Sequence, residues 1–340
     1  MKKSLLSLFA AACAALLFTA CGPKADKPLT IVWLPNESGE DKSDTRLEIE
    51  RIVAEATGRE VVSMLSTDYT IAIEALVNNR ADMAYLGAQG YVEANRRNNK
   101  ILPLVTYTGP SGTLEDAVYY AWLAVRSTEA PQFQANGAYS LDTIADKRFS
   151  FVSSSSTSGF KVPSAVVVNH FRNQSAWANL AAENLIEGGA NRLFSEVLFG
   201  GSHVGTALNL LSDRADVVAL ASSQLLSQLD LVSGDTNRAG AAYTVRADAK
   251  DPLDRFVGAG LTLISSTPVL NEPFVANHNT LSATEVSAIQ AALISEETAN
   301  NTKIFVPRGS STRGLLTKSG DERFLAVDDA WFQPIRDLSK

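Results

Sequence analysis

A short apolar run, a polar loop and then a helical apolar pattern recur along this chain, and that repeated order admits few folds. Residues 29–34 (LTIVWL) form a compact apolar run, 35–44 are polar, and a helix is expected over 45–57, ended by Gly58. A second strand is expected over 61–65. Strand, helix and strand in that order build a parallel sheet of the α/β kind, because a parallel neighbour is reached only by a crossover. The pattern returns at 82–86 (DMAYL), followed by Gly87, Ala88, Gln89, Gly90 and Tyr91, and a helix over 92–98. In open α/β sheets the ligand crevice lies beyond the carboxyl ends of the strands, which is where these loops fall.

The middle of the chain repeats the alternation. Runs at 101–107 and 118–126 (VYYAWLAVR) read as strands, the second long enough to pass from one lobe to another, with the crossing near Tyr120. A short helix over 141–146 precedes a strand at 149–152, and a strand at 197–199 ends in Gly200, Gly201, Ser202 and His203. A helix over 207–211, a strand over 216–220 and a helix opened by Ser222 and Ser223 follow. The run 257–264 reads as the return to the first lobe. An amphipathic helix over 281–299 begins with Ser282 as N-cap and Glu285 three residues on. The expected organisation is a first lobe at 29–120, a second at 121–256 and a returning segment at 257–340.

One stretch carries chemistry within this pattern. Residues 151–171 (FVSSSSTSGFKVPSAVVVNHF) run from a strand through six hydroxyl residues and Gly159 into a helix. The first turn of a helix leaves N–H groups unpaired and carries a partial positive charge, so short hydroxyls there can cap the helix or also face an anion. Ser66, Thr67, Asp68 and Tyr69 open another helix in the same way. His170 lies about three turns along its helix and cannot reach such an anion, so it is assigned a structural role. Asp216, at a strand start, is expected to fix a loop. Tyr85, Trp33 and Trp122 read as core.

The N-terminus sets an address. Residues 1–20 place Lys2 and Lys3 before an apolar run at 5–17, which suits a signal peptide better than a membrane span. Phe18, Thr19, Ala20 and Cys21 resemble a bacterial lipoprotein processing box in which Cys21 becomes the lipidated first residue. Residues 21–28 read as a tether. Loss of 1–20 removes two lysines and leaves 28 basic against 37 acidic residues, a net charge of −9. That balance excludes nucleic acid as a partner, and a negative protein that takes an anion must hold it by local dipoles and hydrogen bonds. His170, His203 and His278 are far apart and no Cys/His cluster has metal-ligand spacing, so neither metal nor cofactor is expected.

The loops, in their order, resemble those of the phosphonate, phosphite and phosphate binding proteins of bacterial ABC importers. The matching positions are Thr67, Asp68 and Tyr69; Asp82 to Leu86 with Gly87 and Tyr91; Ser156 to Gly159; Gly201, Ser202 and His203; and Ala215 with Asp216. Pro268 to Pro273 and Trp331, Pro334, Ile335 and Arg336 match more weakly, and the likeness covers roughly residues 29–337. It implies an α/β, two-lobed type II periplasmic binding protein fold with the ligand cleft between the lobes. It implies further that Tyr69 and Tyr91 face the anion from the first lobe, and that Ser156, Thr157 and Ser158 supply donors from the second. His203 completes the cage, and an adjacent dianion favours its protonation. The family's first acidic ligand residue falls near Ser223 and Gln224, where this chain has none, and the second falls at about Glu272. That departure leaves phosphate, phosphite or a simple phosphonate open.

The function expected from this reading is a lipid-anchored, exported, monomeric solute-binding protein that closes two lobes on a phosphorus oxyanion and passes it to permease subunits. Rejection of sulfate would follow if Glu272 accepts a proton that sulfate lacks. Another small anion such as a sulfonate or carboxylate, or a sensory role that presents the ligand to a receptor, remains open at this level. A Ser hydrolase built on Ser202 and His203 is set aside, because residues 200–204 lack the final Gly of a nucleophile elbow.

Overall fold

A computed structural model describes residues 27–310 and 314–338. The leader 1–20, Cys21 and most of the tether lie outside the described residues. The chain begins with β1 (Leu29–Trp33), α1 (Ser43–Thr57), β2 (Val61–Leu65), α2 (Tyr69–Val77), β3 (Met83–Tyr85), α3 (Ala88–Arg97) and β4 (Ile101–Tyr107). Next come β5 (Val118–Arg126), β6 (Arg148–Phe151), α4 (Val162–Phe171), β7 (Glu196–Phe199), α5 (His203–Leu211), β8 (Val217–Ala221) and α6 (Ser222–Leu225). The remaining sheet strands are β9 (Leu229–Ser233), β10 (Ala242–Val245), β11 (Gly260–Leu270), β12 (Pro273–Asn277) and, after α7 (Ala283–Leu293), β13 (Phe324–Ala326).

These strands form two large sheets. The first has the order β13-β4-β12-β3-β1-β2 and the second β9-β10-β11-β5-β8-β6-β7. β1 pairs in parallel with β2 and β3, as the crossover helices require. Both faces of each sheet are covered, which is why the strands read as continuous apolar runs. Leu29, Ile31 and Trp33 of β1 pack into one cluster, whereas Val32 and Leu34 pack into the cluster on the opposite face. In the second sheet Val217 and Ala219 face one cluster and Val218 and Leu220 the other.

Two segments join the lobes. β5 and β11 pair antiparallel along their length inside the second sheet, from Val118 with Leu270 to Arg126 with Leu261. The chain re-enters the first sheet at Pro273, so the strand expected to return at 257 still belongs to the second sheet. Asn271 ties the two crossings, its N–H donating to the Ala117 carbonyl (3.0 Å) and its Nδ2 to the Tyr107 carbonyl (2.8 Å).

Several helix boundaries differ from those expected. α3 starts at Ala88 rather than 92, and α5 at His203 rather than 207 because Ser202 Oγ accepts from the Gly205 N–H. The helix expected over 281–299 breaks at Ser295, which caps a second short helix, Glu296–Ala299. The capping box of Ser282 and Glu285 forms as expected. The short helix expected at 141–146 is a single tight turn, Leu141–Ile144.

Candidate functional site

Loops from the strand ends of both sheets meet around one small cavity. From the first lobe come Asn36 and Glu37 in the turn after β1, Tyr69 at the start of α2, Tyr85 at the end of β3, and Gly87. From the second come Ser156, Thr157 and Ser158 after β6, His203 at the start of α5, and Gln224 in α6. Tyr119 and Glu272 reach it from the two crossings.

The second-lobe wall is built by helix starts. Ser156 Oγ accepts from the Gly159 N–H (3.1 Å), and Thr157–Lys161 form a π-helical turn leading into α4. The hydroxyl loop therefore caps its helix and lines the cavity at once. Hydrogen bonds cross from this wall to the first lobe. Thr157 Oγ1 accepts from the Gln89 N–H (2.8 Å), and the His203 N–H donates to Asn36 Oδ1 (3.0 Å). Asn36 Nδ2 in turn donates to the Tyr69 hydroxyl (2.5 Å). At Gly87 the lobes come so close that a Cβ would lie 2.8 Å from Thr157 Oγ1. A side chain at 87 would have to displace the Thr157 hydroxyl from that contact.

The opposite wall carries acid. Glu37 Oε1 accepts from Gln224 Nε2 (3.0 Å), and Gln224 Oε1 accepts from Lys42 Nζ (2.7 Å). Glu272 Oε2 accepts from the Tyr107 hydroxyl (2.8 Å). Burial pushes the Glu37 carboxyl up to about 7, against the pull of Lys42 and with a further push from Glu272. Burial also raises Glu272, opposed by its hydrogen bonds. The phenols of Tyr69, Tyr85 and Tyr119 are raised by burial, so they stay protonated and can donate.

His203 differs from its expectation. Its Nδ1 accepts from the Ala221 N–H (3.0 Å), so Nδ1 carries no proton and Nε2 does. Burial, assisted by Lys42, lowers the ring to about 3. In this arrangement the imidazole is a neutral donor, not the imidazolium expected beside a dianion.

Residues 31–332 match the family described as ABC transporter, phosphonate, periplasmic substrate-binding protein. The chain belongs to this family. A phosphate-import protein, PhnD, of Mycolicibacterium smegmatis is 27% identical over 221 residues, which are 61% of this chain and 62% of that protein. The match thus spans less than two thirds of that relative's length. PhnD1 of Prochlorococcus marinus, solved in complex with methylphosphonate, superposes with a TM-score of 0.61 at 18% identity, covering 92% of this chain and 97% of the other. A binding protein component of an ABC phosphonate transporter from Pseudomonas aeruginosa gives 0.60 at 18% identity, with 92% and 86% covered. At those identities the likeness is one of fold: two-lobed α/β of the periplasmic binding protein kind, as expected. The family is one of substrate-binding proteins, not enzymes.

Of the residues expected in the site of this binding protein, Tyr69, Ser156, Thr157, Ser158, His203, Gln224 and Glu272 all line the cavity. Tyr91 does not. Because α3 begins at Ala88, Tyr91 lies a full turn along it, its hydroxyl donating to Asp329 and its ring packing edge-on against Phe332 at 4.9 Å. Arg336 stacks 5.7 Å from the same ring. Tyr85, read as core, is buried and lines the cavity as well. Asn36, Glu37 and Tyr119 were missed. The available signal for Asn36 and Glu37 was position: they follow the first strand as the other site loops follow theirs.

Ser202 and His203 form no nucleophile pair, since Ser202 Oγ caps α5 and His203 Nδ1 is held by Ala221. Asp216 accepts from the Arg148 N–H (2.9 Å), and His170 Nε2 meets Asp142 (2.8 Å) away from the cavity. No group of His, Cys, Asp and Glu among the described residues is arranged to hold a metal ion.

Proposed function

We propose that this family member captures a phosphorus oxyanion (phosphate, phosphite or a small phosphonate) between its lobes and delivers it to the permease of an ABC importer. The observation that carries the reading is the meeting of Ser156, Thr157, Ser158, Tyr69 and His203 around one small buried cavity. Neutral donors fixed at helix starts suit a tetrahedral oxyanion, since their dipoles need no rearrangement to receive it. The hydrogen bonds from the Gln89 N–H to Thr157 Oγ1 and from the His203 N–H to Asn36 Oδ1 support closure of the lobes on the ligand, with the hinge at the crossings near Ala117 and Asn271. Binding both walls at once stabilises the closed form.

The test is a ligand panel of phosphate, phosphite, methylphosphonate, aminoethylphosphonate and sulfate, read by thermal shift and calorimetry. A ligand at a hundredfold excess over its dissociation constant adds about 2.7 kcal/mol of stability. If a sulfonate or carboxylate shifts the melting point and no phosphorus oxyanion does, the assignment fails. The lipid anchor on Cys21 belongs to the same proposal. No helix among the described residues is long and apolar enough to cross a membrane. Cys21→Ser is expected to release the protein from the membrane fraction and to abolish its labelling by palmitate. Unchanged labelling would sink the anchor.

A further inference from the structure

The two cavity carboxyls are satisfied differently. Glu272 Oε2 accepts from the Tyr107 hydroxyl at 2.8 Å. Glu37 uses one oxygen. Its Oε1 accepts from Gln224, whereas its Oε2 is buried and meets no hydrogen-bond partner. The orientation of Gln224 is forced: a lysine can only donate, so the atom 2.7 Å from Lys42 Nζ is the amide oxygen and the amide nitrogen must turn to Glu37. Lys42 also donates to the Asn36 carbonyl (2.9 Å), which anchors this chain to the turn that carries Glu37.

A buried acceptor without a donor is costly until an occupant supplies one. We propose, on the reading of the cavity as an oxyanion site, that Glu37 is its specificity-determining residue. The free Oε2 accepts the hydrogen of a P–OH group, so the cavity selects phosphorus oxyanions that keep one hydroxyl over fully ionised tetrahedral anions such as sulfate. The acceptor role expected of Glu272 passes to Glu37, because the Tyr107 hydroxyl already donates to Glu272 whereas Glu37 Oε2 has no donor.

Burial holds the Glu37 carboxyl near 7. The groups that face it are Lys42 from the following turn, Glu272 from the crossing, Tyr69 at the start of α2, and Gln224 and neutral His203 from the second lobe. Above that value the carboxylate accepts from P–OH and repels an anion that has no hydrogen to give. Below it the protonated acid can donate to sulfate, and discrimination shrinks.

Calorimetry with phosphate and with sulfate, at pH 6 and pH 8, tests this on the wild-type protein and on Glu37→Gln. The wild-type preference for phosphate should fall about tenfold from pH 8 to pH 6. Glu37→Gln, whose amide can donate at either pH, should lose about tenfold of the preference at pH 8 and show no pH dependence of it. Thr157→Ala should weaken both anions alike and keep the preference. A preference in the wild type that is flat with pH, or one that Glu37→Gln retains, overturns the role of Glu37 while leaving the oxyanion site standing. A wild-type protein that binds neither phosphate nor any other phosphorus oxyanion overturns both.

Discussion

The two walls of the cavity are built on different principles. The second-lobe wall is local: Ser156 caps the turn three residues on, Ser202 caps α5, and His203 is the first residue of the helix it opens. The first-lobe wall is long-range, with Glu37 held by Gln224, Glu272 by Tyr107, and Tyr69 by Asn36. Donors that come with a helix start are fixed by backbone geometry and do not titrate. Acids that depend on distant partners and burial do titrate, so on the proposed reading one wall supplies constant attraction and the other a condition.

Four experiments sharpen or break that contrast. The strongest acts where the walls touch. Gly87→Val places side-chain atoms where a Cβ would already lie 2.8 Å from Thr157 Oγ1, and is expected to cost about 3 kcal/mol of ligand affinity with each lobe still folded. Ordinary affinity in calorimetry would mean that the walls need not meet. The acid wall comes next. Glu37 binds its proton more tightly in the folded protein, near 7 against 4.5, so its stabilising contribution is complete below 4.5 and is lost as pH rises through 7. Glu37→Gln removes that loss, and the ligand-free variant should gain about 2 to 3 kcal/mol on the wild type between pH 4.5 and pH 8 in urea unfolding. A difference that does not change with pH would place Glu37 in solvent.

The constant wall predicts smaller effects. Thr157→Ala removes one hydroxyl and should weaken binding by about 1 to 2 kcal/mol at pH 6 and pH 8 equally. A pH-dependent loss would tie the hydroxyl loop to the acids. Smallest of all, Tyr91→Phe should leave affinity within about 0.5 kcal/mol while the lost hydrogen bond to Asp329 lowers stability by about 1 kcal/mol. A large loss of affinity would bring Tyr91 back to the ligand.

The same contrast decides what the sequence could reveal. Strand, polar loop and helix follow one another within a few residues, so the α/β layers, and the loops at 66–69, 156–158 and 200–203 that meet at the candidate site, were legible from local patterning. Tyr91 was misplaced because its partners Asp329 and Phe332 lie some 240 residues away, and a helix start earlier by four residues turned it away from the cavity. Glu37 was missed because a carboxylate in a polar loop reads as solvated; only the packed fold leaves it 2% exposed. The return crossing was read too early because β11 is apolar along the second sheet whichever lobe it serves. What the chain encodes by contacts across hundreds of residues has no short-range signature.

The absence of lysine and arginine from the described lining residues, together with the neutral ring of His203, has a kinetic consequence. An oxyanion held there meets fixed dipoles and the acids Glu37 and Glu272, with Lys42 one hydrogen bond behind Gln224, and charges buried in this way are screened little by added salt. The approach is another matter, since a chain of net charge −7 repels an anion at long range and screening relieves that repulsion. Rising ionic strength should therefore speed ligand capture and leave its release unchanged, the reverse of the weakening seen where a cationic patch draws the ligand in.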